Sequence, residues 1–181
     1  LKNELPFYEY HNMDHIEDVL QAVVKITQAE KLDEDEIQLL RIGALFHDSG
    51  FIYSPKNHEE KGVEIAAEAL PVFGFSKEDI IALQGMIRAT RIPQTPVTKL
   101  DEILCDADLD YLGRDDFYEI GSRLYLEFKK QGIVETEREW NLVQKTFLES
   151  HRYHTSFGKE NREENKRQRL QEILERLKNR T

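Results

Sequence analysis

The chain has 181 residues, 33% of them charged, and a formal net charge of −10; one compact core is expected at that size, and a field of that sign repels a nucleic-acid polymer. Its only cysteine, Cys105, excludes an internal disulfide and a multi-cysteine zinc site, and fits a reducing, cytoplasmic compartment. No apolar run approaches the ~20 residues that span a bilayer, so no membrane partner is expected; the opening at Leu1 with no Met fits a segment of a longer protein.

Ile16, Val19, Leu20, Val23 and Val24 recur at helical spacing and predict an amphipathic helix over 13–30. The acidic DEDE of 33–36 supplies an N-cap and dipole-compatible charge for a second helix, IQLLRIGALFHD, whose apolar run marks it as buried. Gly50 ends it. FIYSPKN, with Pro55, reads as a loop, and HEEKGVEIAAEAL as a third helix stopping near Pro71. A Ser-x-x-Asp cap at Ser76 opens a fourth helix to Thr90, after which the two prolines of RIPQTPVT enforce a loop. KLDEILCDADLDYLG predicts a fifth helix ending at Gly113, and DDFYEIGSRLYLEFKKQG a sixth ending at Gly132. ETEREWNLVQKTFLESH and a charged segment from Lys159 to Lys178 complete the series. With no credible strand, repeat or linker, the expected fold is all-α, a single-domain helical bundle of about seven to nine helices.

The chemistry concentrates at His47 and Asp48, adjacent at the end of the most apolar helix. Burying such groups is costly unless they are paired or bind a metal, and neighbours on a helix diverge by about 100°, which lets both grip one ion. An HD dipeptide alone is more simply a C-terminal histidine with a capping aspartate. Its company is more telling: His11 and His15 lie four apart, His58 opens HEE just after the HD loop, and Asp106, Asp108 and Asp110 stand in DADLD. Imidazole and carboxylate without thiolate suit a divalent ion such as Mn, Fe, Mg, Co, Ni or Zn, one or two of them.

YHNMDH, HDSG, HEE and CDADL resemble, in order and spacing, the HD superfamily of metal-dependent phosphohydrolases, all-α enzymes that cleave phosphomonoesters or phosphodiesters. The opening motif is similar to that of the cyclic-nucleotide phosphodiesterases within it. The resemblance covers residues 8–113, with helices over 114–181 completing the bundle, and implies His15, His47, Asp48 and Asp108 as metal ligands, with Asp106 competing for the last place. It further implies His11 as the general acid, Asp48 as a member of the catalytic set, and His58 with Glu59 as a second-metal or phosphate site. Lys61, Arg88 and Arg91 are candidate cations for the substrate phosphate, although basic residues at a helix end also simply complement its dipole. His151 and His154 carry that same alternative, and Trp140, Tyr111, Tyr118 and Tyr125 that of core or rim aromatics. The expectation is thus a metal-dependent phosphohydrolase acting on a small phosphorylated substrate, a nucleotide or cyclic nucleotide. The alternative is a regulatory nucleotide-sensing module that retains the metal pocket; oligomeric state is open.

Overall fold

Residues 8–179 are described in the computed structural model, and among them nine α-helices and three 3-10 turns make up the regular structure, with no strand. Capping chemistry sets most of the helix starts. Asn12 accepts from the backbone N–H groups of Asp14 and His15 to open α1 (Met13–Glu30), and the reciprocal pair Asp33 and Glu36 opens α2 (Glu34–Phe46). The chain enters α3 (His58–Ala69) through Asn57, whose left-handed φ of 58° is tolerated by asparagine. Capping boxes of Ser76 with Asp79 and Thr98 with Asp101 open α4 (Lys77–Ala89) and α5 (Lys99–Asp108). Each box satisfies two N–H groups that the helix cannot, and losing such a cap costs about 1 kcal/mol. The series continues with α6 (Phe117–Lys130), α7 (Glu137–Ser150), α8 (Ser156–Asn161) and α9 (Glu163–Asn179).

By internal packing the chain divides between Leu109 and Asp110 into two compact units. In the first, α1 packs on α2 and α5, and α4 packs on α2, α3 and α5. Ile16, Val23, Ile26, Leu40, Leu83, Met86, Ile87 and Leu104 fill the space between them and are fully buried; each contributes roughly 1.5–3 kcal/mol by leaving water. Cys105 belongs to this core, its thiol turned to the Ala89 carbonyl and its pKa pushed up by burial. In the second unit, α9 packs on α7, on α8 and on the 3-10 turn Asp110–Gly113, with Ile173, Leu112 and Phe117 buried.

Three segments depart from the periodicity. The fifth helix stops at Asp108: Leu109 leaves helical geometry at φ −111° and ψ 19°, and the DYLG expected to extend it forms a separate 3-10 turn. There the Asp110 carboxylate is drawn to Arg162, a long-range contact invisible to local spacing. The charged terminal segment is two helices rather than one, broken at Arg162, whose φ of −125° ends α8. The FIYSPKN loop is partly ordered, because Ser49–Ile52 winds a 3-10 turn onto the end of α2. Among the described residues no helix is long and apolar enough to cross a membrane.

Candidate metal centre

Three helix ends in the first unit bring the site together. His15 stands in the first turn of α1, His47 caps the end of α2 with Asp48 next to it, and Asp108 is the last residue of α5. His47 is buried, and its Nδ1–H donates to the Ala44 carbonyl at 2.8 Å. A carbonyl only accepts, so this bond fixes the tautomer and leaves the Nε2 lone pair for the other side. That Nε2 lies 3.3 Å from His15 Nε2, 3.3 Å from Asp48 Oδ2 and 3.4 Å from Asp108 Oδ1. His15 Nε2 is 3.1 Å from Asp108 Oδ1 and 3.4 Å from Asp48 Oδ2. One ligand atom from each of His15, His47 and Asp48 fits within 4.8 Å of the others.

Asp48 Oδ2 is buried and has no hydrogen-bond partner among the described residues: the two imidazoles face it without bonding geometry. A buried bare carboxylate oxygen is expensive. The His15 and His47 nitrogens with the Asp48 carboxylate, and Asp108 beside the two imidazoles, are the kind of donor set that a divalent cation satisfies once the imidazoles are deprotonated. The electrostatics agree. Burial pushes the His15 pKa down, but the carboxylates of Asp108 and Asp48 outweigh it and lift the value from 6.5 to about 9. His47 is likewise held well above its ordinary value, its burial overcome by Asp48 and Asp108. Burial raises Asp48 and Asp108, yet the facing histidines hold both well below the usual carboxylate range. A field that retains protons this strongly would attract a divalent ion in the same way, and His15 and His47 would give up those protons to hold it.

His58 enters from α3. Its Nδ1–H donates to the Pro55 carbonyl at 3.0 Å, which turns Nε2 towards Asp48 Oδ1 at 3.5 Å and Glu59 Oε1 at 3.6 Å. Two glycines permit the approach: a Cβ on Gly50 would strike the His58 backbone, and one on Gly62 would lie 2.8 Å from the Phe46 carbonyl oxygen. Phe51 follows Gly50 and contacts two histidines. Its ring stacks on His11 at 4.0 Å and 16° and lies 4.2 Å from the His58 ring, the two imidazoles being 6.4 Å apart.

The remaining candidates are placed less centrally. Asp106 is buried on α5, but two helical positions amount to about 200° of rotation, and the carboxylate that reaches His15 and His47 is that of Asp108. Glu59 is buried and linked to Arg91 at 3.5 Å. Arg91 also approaches Glu60 at 3.6 Å, and Arg88 Nε lies 3.2 Å from both Glu60 oxygens. Lys61 turns instead to Glu64 at 2.6 Å on the exposed face of α3. In the second unit His151 is buried against Lys166, which donates to the His151 carbonyl at 2.8 Å.

Sequence reasoning missed Phe51, Tyr10 and Asn12. Tyr10 is buried against the His15 ring at 4.6 Å. Asn12 caps α1 while its amide donates to the Tyr8 and Glu9 carbonyls, both at 3.1 Å, and so fixes the segment that carries His11. An Asn directly before an apolar-periodic segment is a legible cap signal; nothing local marks Phe51.

The model of the HD domain family matches residues 12–110, a span that includes His15, His47, Asp48, His58 and Asp108. The chain belongs to the HD-domain family. Its HD dipeptide, His47–Asp48, lies at the centre of the cluster described above. The crystal structure of a predicted HD superfamily hydrolase from an uncultured Thermotogales bacterium is similar, with 31% identity and a TM-score of 0.53. The match covers 62% of this chain and 63% of that one, so the HD chain spans less than two thirds of that protein's length. No curated protein matches.

Proposed function

We propose that this HD-domain chain is a metal-dependent phosphohydrolase that cleaves a phosphoester bond of a small substrate, a nucleotide or cyclic nucleotide. The observation that carries the reading is the convergence of two buried imidazoles on the bare Asp48 Oδ2, with Asp108 beside them. In this reading His15, His47, Asp48 and Asp108 hold the ion. A divalent ion bound there supplies a Lewis acid that polarises a phosphoryl oxygen and lowers the pKa of water.

The other residues act on the substrate. A departing alkoxide needs a proton, and His11, fixed against the Phe51 face with its ring 6.1 Å from that of His15, is the donor. His58, oriented by Pro55, faces Asp48 Oδ1 and serves the phosphate or a second ion. Glu59 holds Arg91 beside it, and Arg91 and Arg88 offer positive charge to the phosphate by exchanging Glu60 for its oxygens.

The test is a panel of nucleotides, cyclic nucleotides and sugar phosphates, assayed with several divalent metals. Metal-dependent turnover of at least one compound is expected, and His11→Ala should slow it by about 10²–10⁴-fold while metal content stays the same. Tight nucleotide binding without turnover under saturating metal would identify a sensor instead.

A further inference from the structure

A groove of about 790 Å³ lies wholly within the second unit, between α6, α7 and α9. Each helix turns one i, i+3, i+4, i+7 stripe towards it, beginning at Tyr118, Glu137 and Glu172 respectively. Those are the positions that packed helices fill with aliphatic residues, yet none of the three stripes holds one. On α7 the stripe places Trp140 beside Asn141 and Gln144. Asn141 is 7% exposed and Gln144 8%, and neither carboxamide meets a hydrogen-bonding partner among the described residues. Neither amide is among the polar atoms closed off from solvent without a partner, so their donors and acceptors are met only by the water of the groove and are available to a ligand there. Gly121 keeps the floor clear, since a Cβ there would come within 3.3 Å of Gln144 Nε2.

We infer that this groove is a binding site for an uncharged heteroaromatic base, free or as a nucleoside. Trp140 and Tyr125, with ring centroids 5.9 Å apart, supply flat apolar faces, and Asn141 and Gln144 supply paired donors and acceptors for the edge of a base. Tyr118 is a fixed wall: its hydroxyl is bonded to Glu172, and the Arg176 guanidinium lies 4.1 Å over its ring. Glu137, Glu172 and Glu175 outnumber Arg176 around the groove, so an attached phosphate is repelled. No residue assigned above to the metal centre or the substrate phosphate lines the groove. The site therefore stands whether or not the hydrolase reading does.

Trp140 is the only tryptophan of the chain, so its fluorescence reports on this groove alone. The full chain is titrated with the four common ribonucleosides and their 5′-monophosphates in the presence of a chelator, which stops any metal-dependent hydrolysis. Saturable quenching by at least one nucleoside is expected, with its monophosphate binding more weakly. The double variant Asn141→Leu and Gln144→Leu should weaken binding at least about tenfold while its melting temperature stays level or rises, and Asp48→Ala should bind as the parent does. The exposed rim variant Glu175→Arg should bring the monophosphate closer to, or past, its nucleoside. No saturable quenching at millimolar nucleoside, undiminished binding by the double variant, loss of binding in Asp48→Ala, or an unchanged preference in Glu175→Arg would each overturn the inference.

Discussion

Asp108 and Asp110 stand two residues apart, in different compact units, and use the same functional group in opposite ways. Asp110 is buried and fully neutralised: Arg162 donates to its two oxygens at 2.7 and 3.3 Å, and Arg114 lies 3.5 Å from Oδ2. Asp108 faces two imidazoles that share their attention with Asp48, and in that cluster Asp48 Oδ2 is left without a hydrogen bond. Closed polar networks hold a fold together. Convergent donors with lone pairs to spare hold something else.

Breaking each cluster separates these roles. Asp48→Ala should lower divalent-metal affinity by at least about a hundredfold, because even partners behind a ligand are worth 10–100-fold, and should abolish metal-dependent hydrolysis. Asp110→Asn should leave metal content and affinity unchanged and cost about 3–5 kcal/mol of stability, the effect of removing one partner from a buried ion pair. Metal analysis of both variants, with denaturant unfolding, checks the contrast. If Asp110→Asn lost metal while Asp48→Ala kept it, the assignment of roles would be reversed.

A smaller change sharpens the first cluster. Gly50→Ala puts a Cβ into the His58 backbone, so the turn must move at a cost of about 1–3 kcal/mol. His58 should be displaced from Asp48, with slower turnover and retained metal; a variant as stable and as active as the parent would show that this close approach is not needed.

The smallest effect is on pH dependence. In metal-free protein the raised pKa of His15 contributes stability that is fully present below pH 6.5 and lost as pH rises through about 9. Asp48 and Asp108, held below 3.8, contribute stability present above that value and lost as pH falls towards their depressed pKa values. Thermal melts should therefore drop between pH 6.5 and 9 without metal, and should stay flat with metal bound.

Much of this was legible in local sequence. The caps at Asp33 and Ser76 and the spacing of Ile16, Val19 and Val23 mark helices because capping and amphipathicity act over a single turn. The pairing of YHNMDH with HDSG was readable only as a family pattern, since His15 and His47 meet across 32 positions. What remained hidden depends on tertiary approach: Phe51 against His11 and His58, Gly50 against His58, and the carboxylates of Glu59 and Glu60 beside Arg88 and Arg91. Likewise the break after Asp108 follows from the Arg162 contact of Asp110, to which helical periodicity is blind.

The most direct measurement is a calorimetric titration of metal-free chain with Mn(II) near pH 7, run in two buffers of different ionisation enthalpy and repeated on Asp48→Ala. Saturable binding with proton release is predicted for the parent, because His15 and His47 must give up protons to become ligands, and no comparable binding is predicted for the variant. Equal binding by the two proteins, or none by the parent with any divalent ion tried, would contradict a metal centre built on His15, His47, Asp48 and Asp108.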